Sequence, residues 1–454
     1  MKPTSIKIIE KLREAGHQAY WAGGCVRDML LGMEPKDFDI ATSAKPEEIE
    51  KILDKTIPVG KQFGVIIAIE NGHHFEIATF RSDSGYSDGR RPDAIYFSSA
   101  LEDAKRRDFT INSMFYDPIK DEVIDYLGGQ DDLKDKLVRF IGNPEERILE
   151  DHLRILRAVR FKNYFGLQYH PETYQAIKKH VQLIKNISKE RIRDELNKMI
   201  MDPVNPGQAF EELFELGALE LLIPELCQLK GLAQPLQYHQ EGDVWDHSIK
   251  ALNSLTNEDL DPNPLPEKGP SIELKWAVFM HDIGKFQTFS IDQERIRYDH
   301  HAEIGGDIAA SILQRFNFPK ASVERVKWLI EHHMMIVQLM EMPDSRRRHW
   351  FLLPGFEELL EVYRADSLGI TPLDLSLYEK LLKLYRHEIA ELKLMPKQLL
   401  TGEEVMKKLN LDPSAIVGEV LALIKEKQLA GELNSPAAAI EFITNLDLSK
   451  LSNS

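Results

Sequence analysis

Cysteine is scarce in this chain of 454 residues: there are two, Cys25 and Cys227. Two cysteines supply neither a disulfide framework nor a cysteine zinc site, so any metal has to be held by histidine and carboxylate. Long apolar runs are missing as well. No stretch approaches the ~20 residues of a membrane span, and the polar, amphipathic N-terminus does not read as a signal peptide. These absences predict a cytoplasmic protein with no membrane partner. An excess of cations is also lacking: 57 Lys and Arg face 73 Asp and Glu, a net charge of −16. That argues against polyanion binding by the whole surface, but distribution matters more than the sum. Between positions 134 and 198 there are 15 basic and 9 acidic residues. One central segment can therefore offer a positive track for phosphates, or simply carry solvated helix faces.

What is present is enough apolar residue, 43%, for several cores, and length for three or four units at roughly 100–200 residues each. Apolar spacing predicts a helix over 4–15, a strand at 19–22, a short helix at 26–31, a strand at 38–41 and a helix over 46–53. β-rich runs at 65–69 and 75–80, joined by Asn71-Gly72, predict a hairpin. Beyond Pro144 the pattern turns helical, with helices over 145–165, 171–182, 188–201 and 206–217. The only later strand signal lies at 291–298, a proline-rich loop covers 257–270, and the helical tail from ~376 breaks near Asn434-Ser435-Pro436.

The densest chemistry lies between positions 23 and 42, in Gly23-Gly24-Cys25-Val26-Arg27-Asp28 and Asp37-Phe38-Asp39. Glycines let the backbone approach phosphate oxygens and donate N–H groups to them. Arg27 adds a planar fork that matches phosphate geometry. Asp37 and Asp39, two apart on a strand, point to one face and can hold Mg²⁺ together with substrate phosphates. Cys25 reads as a small residue that fits, not as a nucleophile.

This string resembles the signature of class II tRNA nucleotidyltransferases and bacterial poly(A) polymerases, in the polymerase-β-like superfamily. Further matches follow in order: Arg90-Arg91-Pro92-Asp93 inside the 85–93 loop, Arg106-Arg107-Asp108-Phe109-Thr110-Ile111-Asn112, and Glu150-Asp151-His152-Leu153-Arg154. The resemblance implies an α+β fold: a nucleotidyltransferase head with a small mixed sheet, followed by all-α neck, HD and tail regions. Gly23, Gly24, Arg27 and Arg107 would bind the triphosphate, with Asp108 also at the nucleotide site and expected to orient Arg107 rather than to join the acidic cluster. A full-length 85–93 loop favours competence for adding A.

Arg154, Arg157 and Arg160 recur every third residue, and Asp151 lies one step earlier. Residues at i and i+3 meet on a helix surface, so Asp151 and Arg154 would offer an acceptor and a donor fork side by side. Cytosine and adenine carry an amino group where uracil and guanine carry a carbonyl. Such a pair would admit CTP and ATP and refuse UTP and GTP; surface salt bridges are the competing account. In the family this is the amino-acid template, implied here at Glu150, Asp151 and Arg154, with Arg157 and Arg160 reaching phosphate or stiffening it.

A second pattern runs through Gly242-Asp243-Val244-Trp245-Asp246-His247, His281-Asp282-Ile283-Gly284-Lys285, His300-His301, His332-His333 and Asp366. It resembles the HD phosphohydrolase superfamily. Imidazole and carboxylate ligands suit Mg²⁺, Mn²⁺, Ni²⁺ or another divalent ion. His247, His281, Asp282 and Asp366 would hold one metal, and His301 and His333 a second, with Lys285 available for a phosphate.

The organisation expected is a head at 1–143, a neck at 144–235, an HD domain at 236–375 and a tail at 376–454. The implied activity is template-independent addition or repair of CCA at tRNA 3′ ends from CTP and ATP, with phosphoester hydrolysis at the HD site. An A-adding enzyme or poly(A) polymerase shares the motifs. The ending Leu451-Ser452-Asn453-Ser454, with no basic extension, favours tRNA. An HD hydrolase with a regulatory nucleotide-binding head is the remoter alternative.

Overall fold

The computed structural model describes all residues except 87–88, 90–91, 238, 257–268, 294, 396–397, 447 and 449–454. Most of the expected proline-rich loop, and Arg90 and Arg91 of the 85–93 loop, thus lie outside the described residues. The chain separates into two compact units, Met1–Pro224 and Glu225–Ser454.

The first unit opens with a helix, Lys2–Glu14, whose Ile8, Ile9 and Leu12 are fully buried. The strands that follow are β1 (Ala19–Ala22), β2 (Ile40–Thr42), β3 (Thr56–Gly60), β4 (Val65–Glu70), β5 (His73–Thr79), β6 (Arg81–Ser84), β7 (Ala94–Phe97), β8 (Phe115–Asp117) and β9 (Glu122–Ile124). Seven of them form a mixed sheet in the order β3-β4-β5-β2-β1-β8-β9. The β4–β5 turn is Asn71-Gly72, both residues at positive φ (52° and 77°), as a two-residue hairpin that follows strand twist requires. β1 pairs antiparallel with both β2 and β8, so the glycine motif after β1 emerges beside the acidic run before β2.

The acidic run departs slightly from expectation. The strand begins at Ile40 rather than at 38, yet the alternation extends backwards: Phe38 is buried, its ring tilted 52° to that of Trp21 at 4.8 Å, while Asp37 and Asp39 stay exposed on the other side. The helix expected over 145–165 is two helices, Pro144–Glu150 and Arg154–Tyr164. Asp151 breaks it by taking extended dihedrals, its carboxylate accepting from the Leu153 amide at 3.1 Å and its carbonyl from the Arg154 amide. A two-residue parallel pair, Leu137–Val138 with Gln168–Tyr169, was not expected, because so short a pairing has no periodicity to read. Helices Pro171–His180, Lys189–Ile200 and Pro206–Glu215 complete this unit.

In the second unit the helices Val244–Ser254, Ile272–Met280, His301–Arg315, Lys320–His332 and Phe356–Gly369 pack around buried Trp245, Trp276, Phe279 and Leu329. The expected hairpin is Ser290–Asp292 with Arg295–Arg297. The tail helices Gly402–Leu409, Ala415–Leu429 and Pro436–Thr444 share a small core of Leu400, Val405, Val420, Ile424 and Ile443. Among the described residues no helix is long and apolar enough to cross a membrane.

Candidate nucleotide site and candidate metal centre

One cavity of about 760 Å³ in the first unit is lined by Gly23, Gly24, Arg27, Asp37, Asp39, Arg107, Asp108, Asp151, Arg154, Arg157 and Arg160. These are the head and neck site residues singled out from the sequence, except Glu150, which does not line the cavity. Gly23 joins β1 to the helix Gly24–Leu30 at φ +72°, and a Cβ there would come within 2.7 Å of the Arg107 guanidinium. Only glycine allows both the turn and that approach.

The arginines are held by specific partners. Arg27 donates to Asn112 Oδ1 (2.6 Å) and Asp28 (2.7 Å) and stacks 4.3 Å over Phe165. Arg107 donates to Asp103 at 3.0 and 3.2 Å. Asp108 was expected to orient Arg107; instead it accepts from Arg157 (2.8 Å) and Asn112 (3.0 Å), because the chain turns back at 108 and faces the helix Arg154–Tyr164. Burial works to raise the Asp108 carboxyl, but Arg157 and the Asn112 bond hold it down to about 2. Arg160 donates to Glu195 (2.7 Å) and lies 4.3 Å over Phe161, a ring that Arg27 and Arg157 also approach.

The side chains of Asp151 and Arg154 do not bond to each other. Asp151 accepts a bidentate pair from Arg191 at 2.9 and 2.7 Å, while Arg154 donates to Glu150 (2.5 Å) and to the carbonyls of Arg147 and Arg106. Asp39 is pushed up to about 6 by the surrounding protein, then by the Glu76 and Asp37 carboxylates, with Arg107 opposing. Glu76, on β5, lines the same cavity, as does Lys198. Sequence reasoning missed both, along with Asp103, Asn112, Arg191 and Glu195. The run Glu190-Arg191-Ile192-Arg193-Asp194-Glu195 was the one visible signal.

The second unit brings together all six expected ligands. Asp366 Oδ1 lies 3.1 Å from His247 Nε2 and 3.5 Å from His281 Nε2, and those nitrogens are 3.2 Å apart. Asp282 Oδ2 is 3.3 Å from His281 Nε2. Its other oxygen is 3.6 Å from His301 Nε2, which is 3.4 Å from His333 Nε2. Atoms bound ~2.0–2.2 Å from one ion stand about 3–3.6 Å from each other, so the donor set fits a divalent metal, with Asp282 able to bridge two. Lys285 Nζ reaches Asp282 at 2.6 Å. Gly284 lets the helix His301–Arg315 close in: a Cβ there would meet the His301 carbonyl at 2.1 Å. His300 and His332 stay apart, the first exposed and the second stacked on Trp328. Burial would raise Asp282 and Asp366, but the imidazoles hold both well below the carboxylate range, with Lys285 also acting on Asp282. Burial, with the charge of His281, pushes His333 down to about 4.

Three family models match: "Poly A polymerase head domain" over residues 19–139, "Probable RNA and SrmB- binding site of polymerase A" over 166–230, and "HD domain" over 244–368. The CCA-adding enzyme of Ligilactobacillus salivarius is 45% identical over 212 residues, covering 46% of this chain and 52% of that protein. That of Lactobacillus helveticus is 40% identical over 262 residues, 56% of this chain and 65% of that protein. The chain thus spans about half to two thirds of the length of these relatives. Among solved structures, the Bacillus stearothermophilus CCA-adding enzyme in complex with CTP is similar with a TM-score of 0.74 and 26% identity, covering 100% of this chain and 99% of that one. The Thermotoga maritima CCA-adding enzyme complexed with tRNA shares the fold, with a TM-score of 0.59 and 22% identity over 98% of this chain and 94% of that one. With the motifs in order and these matches together, the chain is similar to class II CCA-adding tRNA nucleotidyltransferases and poly(A) polymerases that carry an HD domain.

Proposed function

We propose that this protein is a template-independent RNA nucleotidyltransferase that builds or repairs CCA at tRNA 3′ ends from CTP and ATP, in the cytoplasm. The observation that carries the reading is the single cavity that joins the Asp37–Asp39 pair, the Gly23-Gly24 turn, the arginines and the Asp151–Arg154 element. In the reaction the RNA 3′-oxygen bonds to the α-phosphorus, the bond to the β-phosphate breaks, and pyrophosphate leaves. Asp37 and Asp39, with Glu76 beside them, would hold Mg²⁺, which when bound lowers the hydroxyl pKa and neutralises developing charge. Gly23, whose own N–H is taken by the Met114 carbonyl, makes the turn that presents the Gly24 N–H, and this group with Arg27 and Arg107 binds the triphosphate. Asp151 accepts from the amino group of cytosine or adenine, and Arg154 donates to the ring. The basic stretch between 134 and 198 takes RNA phosphates in the neck (144–235), and the tail (376–454) supports the RNA by shape.

At the HD domain (236–375), His247, His281, Asp282 and Asp366 would hold one divalent ion such as Mg²⁺, Mn²⁺ or Ni²⁺, and His301 and His333, with Asp282, would hold a second; a bound metal would supply an activated water for phosphoester hydrolysis. Lys285, now paired with Asp282 and Gln234, would help hold the phosphate.

The test is primer extension on tRNA transcripts ending at the discriminator base, at CC and at CCA, with CTP, ATP or both. Extension to CCA and a stop is expected. A added only to the CC-ended RNA means an A-adding enzyme, long A tails mean a poly(A) polymerase, and no transfer overturns the reading in favour of an HD hydrolase.

A further inference from the structure

Four imidazoles meet in the second unit, and three are oriented alike. Nδ1 of His281 lies 2.8 Å from the Val278 carbonyl, Nδ1 of His301 2.7 Å from that of Tyr298, and Nδ1 of His333 2.7 Å from that of Ile330. Each carbonyl belongs to the residue three positions earlier. Local backbone thus fixes the proton on Nδ1 and turns the Nε2 lone pair toward the shared carboxylates.

His247 departs from this pattern. It is fully buried, and among the described residues its Nδ1 has no hydrogen bond of ordinary geometry. The polar group facing it is the Glu241 carboxylate, with Oε1 at 3.3 Å. Gly369 walls the same ring edge, since a Cβ there would lie 3.0 Å from Nδ1. Glu241 is itself locked. His239 Nδ1 lies 2.7 Å from Oε1, and the Thr371 amide donates to Oε2 at 2.8 Å. The turn at Thr371 is tied down in addition by Lys250 Nζ on its hydroxyl and by the Gln240 amide on its carbonyl.

We infer that Glu241 is a positioning residue of the HD metal centre, the acceptor for His247 Nδ1–H that presents His247 Nε2 to the metal. The inference rests on the metal centre proposed above. Once Nε2 gives its lone pair to an ion, the ring proton has to sit on Nδ1, inside the protein, where a donor without an acceptor is strongly disfavoured. Glu241 is the acceptor the fold supplies there. A carboxylate partner also makes the imidazole a stronger ligand than a carbonyl partner does. His239, 2.7 Å from Oε1, holds Glu241 in its orientation.

The test is Co²⁺ titration of the metal-stripped full chain, followed by visible absorption and by counting bound ions per chain. Imidazole-ligated Co²⁺ is separated by its spectrum from an all-oxygen site in the head. Glu241→Gln keeps shape and an acceptor oxygen but not the charge, and is expected to weaken binding roughly 10-fold; Glu241→Ala is expected to weaken it up to ~100-fold, with the number of ions unchanged at saturation. Thermal melts of the metal-free variants report folding, and the isosteric Gln variant guards against collapse of the site. Wild-type titration curves for both variants overturn the inference. So does loss of one bound ion at saturation, which would make Glu241 a ligand with His239 and His247. Absence of imidazole-type Co²⁺ binding in the wild type, or binding unmoved by His247→Ala, removes the metal centre itself and the inference with it.

Discussion

In the cavity of the first unit, each arginine already rests on a carboxylate: Arg107 on Asp103, Arg157 on Asp108, Arg160 on Glu195, Arg154 on Glu150. In the second unit the carboxylates Asp282 and Asp366 face imidazoles whose outer nitrogens lie against backbone carbonyls or Glu241. The difference follows from the groups. A guanidinium has five donors, so one carboxylate can hold it in place and leave donors for a ligand that comes and goes. An imidazole has two nitrogens, so once the outer one is fixed the inner one has a single direction left. The first arrangement suits exchange of large anions, the second a small ion kept in one place.

The sharpest way to break this comparison is to disable one site and read both. Asp37→Ala is expected to lower nucleotide transfer by ~10³-fold or more while hydrolysis of a phosphodiester such as bis-p-nitrophenyl phosphate stays within about twofold; Asp282→Asn should do the reverse. Loss of both activities in either variant would show that the sites are not separate. Next in size is base choice. Asp151→Ala is expected to reduce the preference for CTP over UTP by about 10–100-fold, the worth of a paired hydrogen-bond contact of ~1–3 kcal/mol, measured as the ratio of kcat/KM values. An unchanged ratio would return Asp151 to a structural ion pair with Arg191.

The comparison also predicts a pH response in the first unit. The Asp108 carboxyl is held down to about 2 against an ordinary value of 3.8. A depressed carboxyl stabilises the folded state above its unfolded value, and that stability is lost as pH falls from about 4 through about 2. The contribution is on the order of 2 kcal/mol at neutral pH. Denaturant unfolding between pH 6 and pH 2 should show it, and Asp108→Asn should flatten that part of the curve. The smallest effect expected is at Gly23: with φ at +72° and Arg107 2.7 Å from a new Cβ, Gly23→Ala should cost about 1–2 kcal/mol. It should also raise KM for CTP more than it lowers kcat, since it displaces the arginine proposed to bind the triphosphate. An unaltered KM would mean that Arg107 does not hold the triphosphate.

Much of the site was legible because its motifs are local. The β1 strand, the Asn71-Gly72 hairpin and the helices of the second half follow from period and turn chemistry, which act over a few residues. The alternation across Asp37-Phe38-Asp39 held even where the strand began later than expected. The break at Asp151 escaped because helical periodicity continues across it, and the interruption is made by a side chain that accepts from the Leu153 amide. Glu76 escaped because it lies on a strand whose neighbour in the sheet, β2, comes more than thirty residues earlier in the chain.

By itself the sequence determined which chemical groups this protein carries, their order along the chain, and the helices and strands that display them. Those properties depend on neighbours within a turn or a hairpin. Only the tertiary structure decided who pairs with whom: Asp108 with Arg157 rather than Arg107, Asp151 with Arg191, Asp282 between two sets of imidazoles, Glu241 at the back of His247. Charged side chains are long and have many candidate partners at similar energy in water, so their pairing is settled by packing of distant segments that removes the alternatives.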